Sequence, residues 1–162
     1  MRILGIDPGS NCTGYGVIDK EEDELKLVNF GTIRLDSHDS FAQRLKKIKQ
    51  ELTDIIRKFH PQALAIEGLF YAKNVKSALK LGHVRGVILL IAEEEKLLIF
   101  EYSPLEVKRA VAGYGRAEKL QVQKMVKQLL QLQQIPQPED AADALALAIC
   151  HAHCAHAATE LI

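Results

Sequence analysis

The chain has 162 residues, 48% of them hydrophobic and 26% charged, and its 21 Lys+Arg balance its 21 Asp+Glu. That length and composition suit one globular, soluble domain over residues 1–162 with a full-sized core. The N-terminus carries no basic-then-apolar leader, and the longest apolar stretch, Gly86 to Ala92, is too short to cross a bilayer, so a cytoplasmic protein with no membrane partner is expected.

Residues 2–8 read as a buried strand, and residues 14–19 as a second, joined to it by a Gly-rich turn. Residues 25–35 fit a third strand after an acidic turn at 20–24. Links this short predict an antiparallel meander. Over residues 40–59, Phe41, Leu45, Ile48, Leu52, Ile55, Ile56 and Phe59 recur every three or four positions, which predicts an amphipathic helix stopped by Pro61. Ala63 to Ile66 is a short apolar run ending on Glu67. With a helix between them, this strand should lie parallel to the first. Residues 74–95 form a second helix, with Gly82 and Gly86 on one face. Each glycine costs about 1 kcal/mol against alanine, so close approach of another backbone is one reason to keep them. A fifth strand over 97–101 precedes helices at about 104–112, 117–131 and 138–157. The whole is a mixed α/β sheet with helices on its faces.

Cys12, Cys150 and Cys154 are too few, and odd in number, for a disulfide framework. Cys150, His151, His153, Cys154 and His156 make a candidate zinc cluster, although one helix seldom supplies four tetrahedral ligands and an ordinary helix tail competes. The neutral total hides an uneven distribution. Lys73, Lys76, Lys80 and Arg85 lie in an acid-free stretch from Tyr71 to Gly86. Lys108, Arg109, Arg116, Lys119, Lys124 and Lys127 have Glu118 as the only acid among them. They form either a basic face for an anionic partner or a solvated helix surface.

Two acids stand where apolar strands should continue. Asp7 ends "RILGID" and Glu67 ends "ALAIE". If these strands are parallel neighbours, their C-terminal ends share the edge where open α/β sheets bind ligands. Bare carboxylates there repel, so one stays protonated or a cation sits between them. In "PEDAADALALAIC", Pro138 fits the first turn of a helix and Glu139 and Asp140 suit its positive end. Asp143 lies in an almost wholly apolar helix, three residues from Asp140 and on the same face. Four acids from three elements could then meet. Oxygen donors of this kind suit magnesium or manganese, and four suffice for two ions about 4 Å apart, the arrangement used in phosphodiester cleavage. Scattered surface acids are the competing reading.

The blocks "GIDPGSNCTGYGVI", "AIEGLFYAKNVKSALKLGHVRG", "VKRAVAGYGRAEKLQVQ" and "DAADALALAICHAH" together resemble the RuvC family of bacterial Holliday-junction resolvases, in order and over nearly the whole chain. The resemblance implies an RNase H-like fold, here a five-stranded mixed sheet with helices on both faces. It implies a homodimer that cuts two like-polarity strands of four-way junction DNA, with two Mg2+ per subunit and Mn2+ able to substitute. Asp7, Glu67, Asp140 and Asp143 match the family's catalytic acids, with Asp140 the position that varies to His. Phe70 matches an aromatic that stacks on bases near the junction centre, a contact worth roughly 1–3 kcal/mol, against the alternative of a core aromatic. Tyr71 lies beside it. Lys108 and Lys119 match lysines of DNA binding or cleavage, and Lys119 is counted with the catalytic residues. Lys73, Lys76, Arg85, Arg109 and Arg116 are candidate phosphate contacts. The helix carrying Gly82 and Gly86 matches the dimer-forming helix. RuvA and RuvB, the branch-migration proteins, are implied as partners. Two alternatives stand beside this reading: an ATP-binding domain of the actin and sugar-kinase type, which needs a second such domain, and a non-catalytic nucleic-acid-binding relative, against which the intact acids argue.

Overall fold

The computed structural model describes residues 1–68 and 74–154. Phe70, Tyr71, Lys73 and His156 lie outside the described residues. Strands β1 (Arg2–Asp7), β2 (Cys12–Glu21) and β3 (Glu24–Arg34) form the antiparallel meander. Pairing runs further than the sequence indicates. Cys12 and Thr13 already face Arg34 and Ile33, and Glu22 takes a φ of 52° that lets β3 begin at Glu24. Strand β4 (Ala63–Glu67) lies parallel to β1, and β5 (Leu98–Tyr102) parallel to β4. The five-stranded sheet has the order β3-β2-β1-β4-β5.

Local chemistry sets the helix ends. Helix α1 (Phe41–Phe59) opens on a capping box between Ser40 and Gln43 and closes on His60, left-handed at φ 51°, just before Pro61. Helix α2 (Val75–Glu94) is capped by Asn74, whose side chain accepts from the N–H groups of Lys76 and Ser77. Helix α3 (Pro104–Ala112) has Pro104 in its first turn and a capping box between Ser103 and Glu106. Helices α4 (Lys119–Leu129) and α5 (Glu139–Cys154) follow. Pro138 stands one position earlier than expected. Its carbonyl accepts from Ala141 and Ala142, which places it just outside α5 instead of in its first turn.

Strand alternation divides the core in two. Leu4, Ile6, Leu64 and Ile66 face α1 and α2, where Ile48, Leu52, Ile88 and Ile91 meet them, all fully buried. Ile3, Ala65 and Tyr102 face the other way, toward α3, α4 and α5. Burying each large apolar side chain contributes about 1.5–3 kcal/mol, so both helical layers are bound firmly to the sheet.

Glycines let α5 lie almost on the strands. A Cβ built on Gly5 would come 1.9 Å from the Ala144 carbonyl oxygen, and one on Gly14 would come 2.0 Å from that of Asp140. Gly5 pairs with Gly16, and Gly14 with Asp7. The helix thus crosses two alternate ladder positions, at points one helical turn apart, with its own Ala141, Ala144 and Ala148 fully buried. Its acidic N-terminal end is thereby set over the strand end that bears Asp7.

Candidate active site

The position of Asp7 follows from alternation. Ile3 and Gly5 face α5, so Asp7, two further on, turns the same way. On β4, Ala65 faces α5, and so does Glu67. The last registered pair of the two strands is Ile6 with Ile66, and the acids are the next residue on each. Neighbouring strands lie about 4.8 Å apart, so the two carboxylates leave the sheet side by side. Asp143 joins them from α5. These three line one open cleft with Lys108 of α3 and Lys119 at the start of α4. Pro104, Val107, Val122, Ala146 and Leu147 form its apolar wall.

Asp140 stands apart from the other three. It is not among the cleft-lining residues and lies instead against the Cys12 thiol, whose pKa is raised by burial and then by that carboxylate. Its charge still reaches Asp7. Three of the four expected acids thus line the cleft, and the fourth, one helical turn away, acts by charge on both Asp7 and Asp143. At the same place Gly14 lets the backbone of Asp140 lie against β2.

Electrostatics reveal how crowded the cleft is. The Asp7 carboxyl is pushed up to about 7, first by burial and then by Asp143, Glu67 and Asp140, while Lys119 pulls it down. Glu67 is raised by burial and by Asp143. Burial raises Asp143 too, against the opposing pull of Lys119. Lys119 supplies the compensating charge. Its Nζ lies 3.0 Å from Asp143 and 3.0 Å from Glu139. Burial lowers its pKa, but those two bonds outweigh the effect and hold it above the usual lysine range. Lys119 draws Asp143 toward Glu139, and among the described residues no three His, Cys, Asp or Glu side chains are arranged to hold an ion as they stand. The Glu139 contact was not legible in the sequence, where that acid serves only the helix end.

The donor set nonetheless fits a hard divalent cation. Its members are carboxylate oxygens, and Asp7 holds its proton to near neutral pH, first because it is buried and then because its neighbours are anionic. A stability effect follows. An aspartate in an unfolded chain titrates near 3.9. With the folded value about 7, the folded protein binds this proton more tightly than the unfolded chain does. The penalty is absent below pH about 4 and complete above about 7. In chelator, the gain in melting temperature of Asp7→Asn over the parent should therefore grow as pH rises through that window. Parallel profiles for parent and variant would contradict this.

The remaining sequence-predicted cations divide by exposure. Lys76, Arg109 and Arg116 are exposed, and Lys108 is half-buried on the cleft. Arg85 corrects its expectation as a phosphate contact. It is 6% exposed, with Nη2 2.7 Å from Glu101, and is committed to the interior. Gly82 and Gly86 lie on the open face of α2, where a Cβ would meet no described residue within 4 Å. Of the candidate zinc cluster, Cys150, His151 and His153 are engaged in packing or hydrogen bonds. Cys150 is fully buried, His151 shares a 2.7 Å hydrogen bond with Tyr102, and His153 Nδ1 lies 2.9 Å from the Ala110 carbonyl oxygen. Burial lowers the His151 pKa to about 4, so the ring stays neutral.

Residues 3–151 match the family described as "Crossover junction endodeoxyribonuclease RuvC". The RuvC protein of Halothermothrix orenii is 50% identical over 151 residues, 93% of this chain and 92% of its own. That of Natranaerobius thermophilus is 47% identical over 161 residues, 99% of this chain and 100% of its own. The solved structure of T. thermophilus RuvC in complex with Holliday junction substrate has a TM-score of 0.95 and 32% identity, with 99% of each chain covered. The likeness runs from β1 through the acid-bearing turns of α5, so the RNase H-like sheet and its cleft are both included. On this evidence the chain belongs to the RuvC family of crossover junction endodeoxyribonucleases.

Proposed function

We propose that this chain resolves four-way DNA junctions by paired hydrolytic nicks, with Asp7, Glu67 and Asp143 holding the catalytic cations and Asp140 completing the set from one helical turn away. The observation that carries this reading is the shared cleft. Two strand-end acids and one helix acid face the same space beside two lysines. Two Mg2+ per subunit is the proposed occupancy, with Mn2+ as a substitute; when bound, such ions acidify water and offset charge on the attacking and leaving oxygens.

The chain's own groups supply the rest. Burial in the cleft strengthens every charge interaction there. Lys108 on the cleft wall positions the scissile phosphate. Lys119, once its carboxylate partners are engaged, offers Nζ to the charge that develops on that phosphate. Val107, Val122 and Leu147 exclude bulk water. Exposed Arg109, Arg116 and Lys76 hold the phosphate backbone, which makes affinity salt-dependent without reading sequence. Phe70, Tyr71 and Lys73 come three to six residues after Glu67 in the chain and are proposed to meet DNA next to the scissile site.

Paired nicking needs two sites related by symmetry. The open face of α2 supports a homodimer. Val75, Leu79 and Leu90 are 74%, 59% and 54% exposed on this helix, and Gly82 and Gly86 remove the side chains between them. A second copy seated there would bury this apolar face. RuvA and RuvB are proposed partners through the family. A cytoplasmic location is proposed likewise, and among the described residues no helix is long and apolar enough to cross a membrane.

The test is a mobile four-way junction with all strands labelled, incubated with the protein and Mg2+ and with nick positions mapped. Symmetric nicks in two strands of like polarity are expected, abolished by chelator. Junction binding without nicks at millimolar Mg2+ would leave a non-catalytic binding protein instead.

A further inference from the structure

Arg85 shares α2 with the apolar groove, and its neighbours Gly86 and Val87 line that groove. Its own side chain turns inward and is only 7% exposed. A buried guanidinium is costly unless its donors are satisfied. Two partners on adjacent strands satisfy this one. Nη2 lies 2.7 Å from Oε2 of Glu101 on β5, and Nη1 donates to the main-chain carbonyl of Glu67 on β4. Glu101 pairs in register with Ile66, one residue before Glu67. The fork therefore spans the β4–β5 ladder where the Glu67 carboxylate leaves the sheet. It does so from the α2 side, while that carboxylate faces the cleft. Beyond it, Gly68 N–H bonds the Tyr102 carbonyl at 2.9 Å and closes the strand end.

We infer that Arg85 is a positioning residue for the metal site: it pins the Glu67 peptide through a rigid two-armed contact and so fixes where the Glu67 carboxylate is presented. Only a planar fork can grip the Glu101 carboxylate and the Glu67 carbonyl at once. Lysine keeps the charge but is a single point, so it holds one partner and releases the other. Partners behind a ligand govern metal affinity, and their loss costs roughly 10–100-fold. The inference rests on the reading of Glu67 as a metal ligand.

The experiment compares full-length parent, Arg85→Lys, Ile88→Ala and Glu67→Gln. Each is measured for junction binding, melting temperature and cleavage rate against Mg2+ concentration. Ile88 is a fully buried apolar neighbour on α2 and controls for general destabilisation. Arg85→Lys should shift half-maximal cleavage to Mg2+ concentrations about tenfold higher or more, with rate restored at saturating metal and junction affinity unchanged. Ile88→Ala should lower the melting temperature and leave the Mg2+ midpoint in place. A parental midpoint in Arg85→Lys, or an equal shift in Ile88→Ala, overturns the inference. A Glu67→Gln variant with parental cleavage and midpoint would instead remove Glu67 from the site, a failure of the underlying reading that this arm identifies separately.

Discussion

Asp7→Asn should cut junction cleavage by roughly 10³-fold or more, a barrier increase of about 4 kcal/mol, while junction affinity stays near the parental value. The two effects separate because they arise from different parts of the molecule. Asp7 lines the cleft with Glu67 and Asp143, and an amide there is neutral and a poorer donor to a hard cation. The exposed cations Lys76, Arg109 and Arg116 are untouched. The variant should also be more stable than the parent at neutral pH without divalent cations, because it removes a carboxylate that burial and three acids hold in an unfavourable state. Gel-shift binding and cleavage time courses on the same labelled junction check the first point, and melting curves in chelator the second. Parental cleavage would remove Asp7 from the chemistry. Joint loss of cleavage and binding would mean that Asp7 matters to folding or DNA contact instead.

Gly14→Ala should be among the most damaging single methyl additions at the described glycines. The added Cβ would lie 2.0 Å from the Asp140 carbonyl oxygen, which is main chain and cannot rotate away. Either α5 lifts from β2 or the strand bends. Both outcomes disturb an interface of fully buried residues such as Ala141, Leu145 and Ala148. A cost of about 4 kcal/mol or more is expected, beyond ordinary overpacking, because backbone meets backbone. Gly5→Ala should act similarly, against the Ala144 carbonyl. Gly82→Ala makes the contrast. No described residue lies within 4 Å of the added group, so the isolated fold should gain slightly from better helix propensity. Thermal melts of the three variants check the ranking. A Gly14→Ala protein melting within about 2 °C of the parent would show that α5 is not pressed onto the strands.

The layout of the sheet was readable because its signals are local. Strand runs alternate, short links force a meander, and an intervening helix turns β4 parallel to β1. The positions of Asp7 and Glu67 follow from the same alternation: each interrupts an apolar strand on the face turned toward α5. What the sequence hides is distance between elements. Arg85 and Lys76 look alike as cations on one helix, but Arg85 turns inward because Glu101 waits on β5, a partner 16 positions along the chain whose nearness only folding creates. Asp140 and Asp143 share a helix face, yet Asp140 lies against Cys12 while Asp143 lines the cleft. Glu139 looks like a helix-end acid and is also a counter-charge for Lys119. In each case spacing identifies the element and packing decides the partner.

Everything turns on whether Asp7, Glu67 and Asp143 jointly bind divalent ions. Diffraction from crystals soaked in Mn2+, with anomalous peaks located in parent and Asp7→Asn protein, addresses this directly. Peaks within coordinating distance of Asp7, Glu67 and Asp143 oxygens in the parent, weakened or lost in the variant, are predicted. An empty cleft at millimolar Mn2+, or ions held elsewhere and unaffected by the substitution, would contradict the account.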